Sequence, residues 1–280
     1  MIIDCHCHAG QGDGFTGPWD TEAPLGAYLK RAARAGIART VLLPAFHLDY
    51  GIANRALARI VARAPQRLIG FAMVHAQRDR GRVRAMLRAA IEGDGLAGIK
   101  LHRHDAPITR EVCDAARALR VPLLYDLTGE VSVVELLAEQ YPDVNFIIPH
   151  LGSFADDWRA QLALIDHLER HRNVFADTSG VRRFDLLAQA VRRAGAHKIL
   201  FGSDGPWLHP ALELAKIRLL HLTPDEEALV LGGNLMRLVP RAALPMPAKA
   251  SFTAQVGTQI AAPFNSRAAA GHGAAAAHGR

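Results

Sequence analysis

The segment IIDCHCHAG, residues 2 to 10, sets two histidines one residue apart in a run that reads as a buried strand. Side chains alternate faces along a strand, so His6 and His8 are expected on one face and Cys5 and Cys7 on the other. Two imidazoles spaced by about 7 Å along a strand can converge on a small cation. The cysteines are then expected against the covering helices, packed as small apolar residues, which separates sulfur from nitrogen and argues against a mixed Cys/His zinc site. Alone, the pair can equally be two hydrogen-bonded core histidines. It has company: Asp204 in FGSDGPW and His150 in IIPHLG end apolar runs of the same kind, and GIKLHRH puts Lys100, His102 and His104 on one face of another. Imidazole is the commonest metal ligand at neutral pH, and a carboxylate beside it makes a borderline site suited to zinc or a similar divalent ion.

The elements that must hold these residues repeat one theme. Eight short apolar runs end in polar or glycine residues: MIIDCHCH, RTVLLPAFH, RLIGFAMVH, AGIKLHRH, VPLLYDLTG, VNFIIPHLG, NVFADTSG and KILFGSDGPW. Stretches with helical apolar spacing lie between them, over 24–36, 50–65, 108–120 and 183–195. Continuous apolar strands alternating with helices predict a parallel sheet covered by helices, and eight units predict closure into a (β/α)8 barrel of the TIM type. An open doubly wound sheet is the alternative, but no strand is followed by a glycine-rich phosphate loop. In the barrel, strands one and eight are neighbours, so His6, His8 and Asp204 are expected close together at the C-terminal mouth, where barrel enzymes build their sites.

The chain has 280 residues, half of them hydrophobic, and a net charge of +6 spread without a basic block. QRDRGRVRAMLR (77–88) reads as one solvated helix face, and no zinc-finger spacing or aromatic RNA-binding signature accompanies it, so nucleic acid is not an expected partner. No basic leader or membrane-length apolar run is seen and the cysteines number three, so no membrane association is expected and the expected location is the cytoplasm. LTPDEEALVLGGNLMRLVP (222–240) carries a capping-box start at Thr223 and Glu226 and a break at Gly232 and Gly233. Residues 1–242 are expected to form the barrel and 243–280, rich in Ala, Gly and Pro, a flexible tail. The long segment 9–24 is a candidate lid.

Paired histidines after strand one, a histidine after strand six and an aspartate after strand eight resemble the amidohydrolase superfamily. GIKLH, PHLGS, NVFADTSG and ILFGSDGPW resemble more narrowly its amidohydrolase-related branch of small-molecule hydrolases, lactonases and non-oxidative decarboxylases. The resemblance covers about residues 1–240. It implies that His6, His8 and Asp204 bind one divalent metal, zinc or alternatively manganese, and that His150 and Asp204 are catalytic. Branch members usually carry a metal-binding histidine after strand five, where this chain has Asp126. Either Asp126 is a ligand, or His102 replaces the missing imidazole, or the site works without metal as branch lactonases do; His102 is the expectation adopted, because it keeps the ligand type. Lys100, His104 and Asp126 are then expected to contact a small carboxylated substrate, with Lys100 alternatively paired to a carboxylate and His104 alternatively a loop residue. Asp177, Thr178 and Ser179 are expected to cap the next helix. The implied activity is hydrolysis through metal-activated water, with decarboxylation or metal-free lactone opening as alternatives and a catalytically degraded binding protein as the non-enzyme reading; a homodimer is compatible with the fold.

Overall fold

The computed structural model describes residues 1–14 and 22–240. The expected tail, 243–280, and the centre of the expected lid therefore lie outside the described residues.

Eight parallel strands follow the eight apolar runs in order. They are β1 (Ile2–Gln11), β2 (Ile37–Pro44), β3 (Leu68–Met73), β4 (Gly98–His102), β5 (Leu123–Asp126), β6 (Phe146–Ile148), β7 (Val174–Asp177) and β8 (Ile199–Leu200). Each pairs in parallel with the next. A two-residue strand, Glu22–Ala23, adds antiparallel to the upper end of β1. The sheet curls until its edges meet: the Cys5 amide donates to Phe201 O at 2.9 Å, and Cys7 bridges Gly205. The fold is the expected TIM barrel.

Helices α1 (Leu25–Arg34), α2 (Tyr50–Ala62), α3 (Val83–Arg88), α4 (Arg110–Leu119), α5 (Val133–Gln140), α6 (Trp158–Arg170), α7 (Phe184–Ala194) and α8 (Pro210–Arg218) follow the strands in turn. Their starts follow local chemistry. Asp49 caps α2 by accepting from the Gly51 and Ile52 amides, and Asp157 caps α6 through Arg159 and Ala160, satisfying amides that no helical carbonyl reaches. The Thr223/Glu226 capping box is formed, and the helix it starts is interrupted at Leu229–Gly233 before resuming over Asn234–Leu238. Among the described residues no helix is long and apolar enough to cross a membrane.

Two apolar layers result. Side chains facing into the barrel, including Ile3, Val41, Phe71, Leu124, Ile147 and Phe175, form a plug with Leu235 and Leu238 of the C-terminal helix. Those facing outward, such as Leu42, Ile99, Leu123 and Tyr125, pack on the helices. The plug stops short of the C-terminal mouth, so polar groups at the strand ends meet above it.

Candidate active site

β1 does not alternate throughout. Asp4 pairs with Thr40 but Cys7 with Leu42, so three steps on β1 match two on β2. This one-residue bulge places Cys5 and His6 consecutively on the inner side. Cys5 thus packs in the plug with Val41 and Phe71, while Cys7 lies in the helix-facing layer beside Tyr28. The expectation that both cysteines face the helices is corrected for Cys5: strict alternation assumes a regular ladder, and the bulge resets it. His6 and His8 both reach the cavity, and both are buried.

The segment after β8 brings Asp204 against them. A Cβ on Gly202 would lie 3.1 Å from His6 Cβ, and one on Gly205 would lie 2.4 Å from the Tyr28 ring. The two glycines let this segment press onto β1, and Arg31 of α1 holds it from outside by donating to Pro206 O at 2.7 Å. Between them Asp204 takes φ +52°, uncommon for a residue with a side chain, and turns its carboxylate inward.

Each imidazole of β1 is tethered through Nδ1. His8 Nδ1 faces Pro44 O at 3.1 Å, and a carbonyl can only accept, so Nδ1 carries the proton and Nε2 a lone pair. His6 Nδ1 donates to Asp177 Oδ2 at 2.8 Å with the same result. Both Nε2 atoms then point to Asp204 Oδ1, at 3.5 Å from His6 and 3.6 Å from His8. Burial, reinforced by the nearby Lys100 charge, pushes the His6 pKa down to about 4; burial and the neighbouring His6 push His8 well below its usual range. The rings are thus neutral and able to ligate at neutral pH. Three ligand atoms within 4.8 Å of one another, two of them tethered by hydrogen bonds, fit one divalent ion.

The opposite wall is built differently. Asp126 Oδ2 accepts from His102 Nε2 at 3.1 Å and from His150 Nε2 at 3.3 Å, and Asp126 Oδ1 accepts from the Thr128 amide. His150 also donates Nδ1 to Ser179 O at 2.8 Å, so both its nitrogens are donors. Burial opposes its charge, but the Asp126 carboxylate, aided by Asp204 and Asp177, outweighs that and raises its pKa to about 9. Burial likewise opposes ionisation of Asp126, which His102 and His150 nevertheless hold well below the carboxylate range. His102 Nδ1 accepts from the His104 amide at 3.0 Å, which leaves Nε2 as its donor. The His102 ring is therefore engaged with Asp126 and stands apart from the trio of His6, His8 and Asp204.

Lys100 enters from the floor. It is 1% exposed, and among the described residues no carboxylate oxygen lies within 4.0 Å of its ammonium group. Burial lowers its pKa against the pull of Asp126, Asp177 and Asp204. Above these groups is a cavity of about 210 Å³ walled by Phe46, Phe154 and Trp207. His104 does not line it; the ring is exposed, packed edge-on against Phe46 and His102.

The structure adds residues that sequence reasoning passed over. Asp177 does not cap α7, whose first turn begins at Phe184 with no side-chain cap. Instead it accepts from His6 Nδ1, the His150 amide and both the amide and hydroxyl of Ser179, linking the two walls. Burial opposes its charge, and the proximity of His6 outweighs this to hold its pKa at about 2. Nor did the pattern distinguish Phe46, Phe154 and Trp207 from ordinary loop aromatics. His47 and His75, which also follow strands, use Nδ1 to accept amides of their own loops.

A parallel barrel with imidazoles and carboxylates gathered at its C-terminal mouth defines a class of barrel enzyme. The Amidohydrolase family model matches residues 3–241, and the chain belongs to this family and is an enzyme of amidohydrolase type. No curated protein sequence gives a significant match. Among solved structures, similarity is found to a probable 2-pyrone-4,6-dicarboxylic acid hydrolase from Acinetobacter baumannii with citric acid bound, at 16% identity and TM-score 0.67. A 2,6-dihydroxybenzoate decarboxylase from Rhizobium gives 16% and 0.64. Both alignments cover 85% of this chain and 98% of the other. A dihydroxybenzoic acid decarboxylase from a Polaromonas species, with bound manganese and an inhibitor, gives 17% and 0.62, covering 85% and 96%. At these identities the likeness is one of fold.

Proposed function

We propose that the chain is a metal-dependent hydrolase acting on a small, planar, carboxylated molecule, with His6, His8 and Asp204 as the metal ligands. The observation that carries this reading is the convergence of two tethered, neutral imidazoles and one carboxylate oxygen on a single point at the cavity floor. Two nitrogens and an oxygen suit zinc, with manganese as the alternative supported by the Polaromonas neighbour. When bound, such an ion supplies Lewis acidity, which polarises a carbonyl oxygen and brings the pKa of water down towards about 7.

The chain's own residues do the rest. Asp204 takes the proton of the attacking water as its oxygen bonds to the carbonyl carbon, and returns that proton to the leaving group as the old bond breaks. His150, held protonated by Asp126, turns its Nε2 proton from that carboxylate to the oxygen on which charge develops, while Nδ1 stays on Ser179 O. His102 is assigned with Asp126 to hold His150, and joins the ligand set only by giving up its bond to Asp126. Lys100 binds the substrate carboxylate, because a buried ammonium that feels nearby carboxylates but has none within 4.0 Å favours an anionic ligand placed against it. Phe46, Phe154 and Trp207 enclose a flat ring.

Non-oxidative decarboxylation is a second reading. The largely apolar walls favour it, since a carboxylate leaves as carbon dioxide more readily from a desolvated site, and two of the structural neighbours are described as decarboxylases. The test is metal analysis of the purified chain, followed by a panel of monocyclic aromatic acids and lactones assayed in oxygen-18 water and in deuterium oxide. Hydrolysis puts one solvent oxygen into product. Decarboxylation puts deuterium on carbon of the organic product and no solvent oxygen into it. Metal far below one ion per chain, with turnover that survives chelation, would overturn the metal reading.

A further inference from the structure

The proposed ligands lie on both sides of one seam. His6 and His8 belong to β1 and Asp204 follows β8, yet these neighbours share only an isolated bridge at Cys7 and Gly205 and a few main-chain bonds. By contrast β4 and β5 pair over four successive residues. The bulge in β1 interrupts its ladder with β2, on the strand's other edge, so the stretch from Asp4 to Cys7 lacks regular pairing there too.

Asp4 spans it. Its side chain points to the helix side and is fully buried. Oδ1 accepts the His6 amide at 3.1 Å and the Ser203 amide at 2.9 Å; Oδ2 accepts the Tyr28 hydroxyl at 2.5 Å and the Ser203 hydroxyl. The Ser203 hydroxyl in turn accepts the Gly205 amide at 3.2 Å. One carboxylate thus ties the backbone of a proposed ligand on β1 to the residues immediately before and after the proposed ligand beyond β8. Asp204 itself sits between these fixed points in a left-handed conformation, a geometry that persists where its surroundings over-determine it.

We propose that Asp4 is a positioning residue whose carboxylate, in place of a regular strand ladder, sets the separation of His6 and His8 from Asp204 and so preforms the cation site. This rests on the metal reading above for its consequence, but the seam itself can be tested without metal. Asp4 touches neither the cavity nor the reacting atoms. Its effect passes through the main chain.

The experiment compares wild type, Asp4→Ala, Asp4→Asn and Leu235→Ala, the last a destabilising control in the apolar plug. Cobalt(II) is titrated into chelator-treated protein and followed by visible absorption, and hydrogen exchange at the Cys5, His8 and Ser203 amides is measured on the metal-free chains. Asp4→Ala is expected to weaken cobalt binding by roughly 10- to 100-fold and alter the visible bands, with faster exchange at the seam. Asp4→Asn keeps an oxygen for the His6 and Ser203 amides and should recover part of the loss. Leu235→Ala should lower the melting temperature with cobalt affinity and bands unchanged. Parent-like affinity and bands in Asp4→Ala, or an equal loss in Leu235→Ala, would overturn the proposal. If wild type takes up no cobalt, the functional reading falls, and seam exchange unchanged by Asp4→Ala would overturn the proposal independently. Should Asp4→Ala fail to fold, Ser203→Ala, which removes one of the four bonds to Asp4 and the acceptor of the Gly205 amide, is read the same way with a smaller expected loss.

Discussion

The two walls of the cavity use the same residue types to opposite ends. On the β1 and β8 side, imidazole Nδ1 atoms are tied to Asp177 and Pro44, leaving Nε2 lone pairs that converge beside Asp204 Oδ1. On the β4 to β6 side, the Nε2 atoms of His102 and His150 are both spent on Asp126. Ligand capacity is therefore decided by which nitrogen is tethered: a tether at Nδ1 frees a lone pair, while a carboxylate at Nε2 makes a charged hydrogen-bonded cluster. The first wall can bind a cation. The second can hold and deliver a proton.

The largest effects should break this contrast outright. His6→Ala and Asp204→Ala are expected to lose bound metal and at least about a thousandfold in kcat/KM, the several kcal/mol that such an ion contributes. His102→Asn, on the other wall, should keep close to the parent metal content; elemental analysis of the three variants side by side decides whether the contrast is real. Next in size, His150→Asn should lower kcat by roughly 100- to 1000-fold, as loss of an oxyanion donor does, and Asp126→Asn by roughly 10- to 100-fold, both with metal retained.

Smaller effects sharpen the comparison. Lys100→Met should raise KM for carboxylated substrates about 10- to 100-fold, the loss of one charge-assisted hydrogen bond, with a lesser change in kcat. Neutral analogues should be bound equally by both chains. The subtlest test is one of pH. With the His150 pKa at about 9 against an ordinary 6.5, the folded chain keeps a proton that the unfolded chain releases between those values. His150 thus contributes stability that is fully present below pH 6.5 and is lost as pH rises through about 9. Denaturant unfolding of chelator-treated protein should show that decline, and Asp126→Asn should flatten it.

The barrel was legible because each strand is a continuous apolar run closed by glycine or a polar group, a pattern set by burial on both faces; all eight runs became strands in the expected order. The inward direction of His6 and His8 followed from alternation, but Cys5 did not, because no local signal in IIDCHCH marks the extra residue of a bulge. Asp177 looked like a helix cap, since its neighbours Thr178 and Ser179 have capping chemistry. Its actual partner, His6, is 171 residues away, and only closure of the barrel brings them together. The face shared by Lys100, His102 and His104 was extrapolated two residues too far: β4 ends at His102, and the turn after it carries His104 out to solvent. Aromatic walls leave no trace in spacing, because Phe46, Phe154 and Trp207 come from three different loops.

The Trp207 ring lies 4.8 Å from that of His8 and is partly open to solvent. An indole so placed is expected to respond to charge or occupancy at its imidazole neighbour, and in a chain with Trp19→Phe and Trp158→Phe its ultraviolet emission should report on them. The molecule carries a built-in optical gauge of its own pocket, readable without any added label.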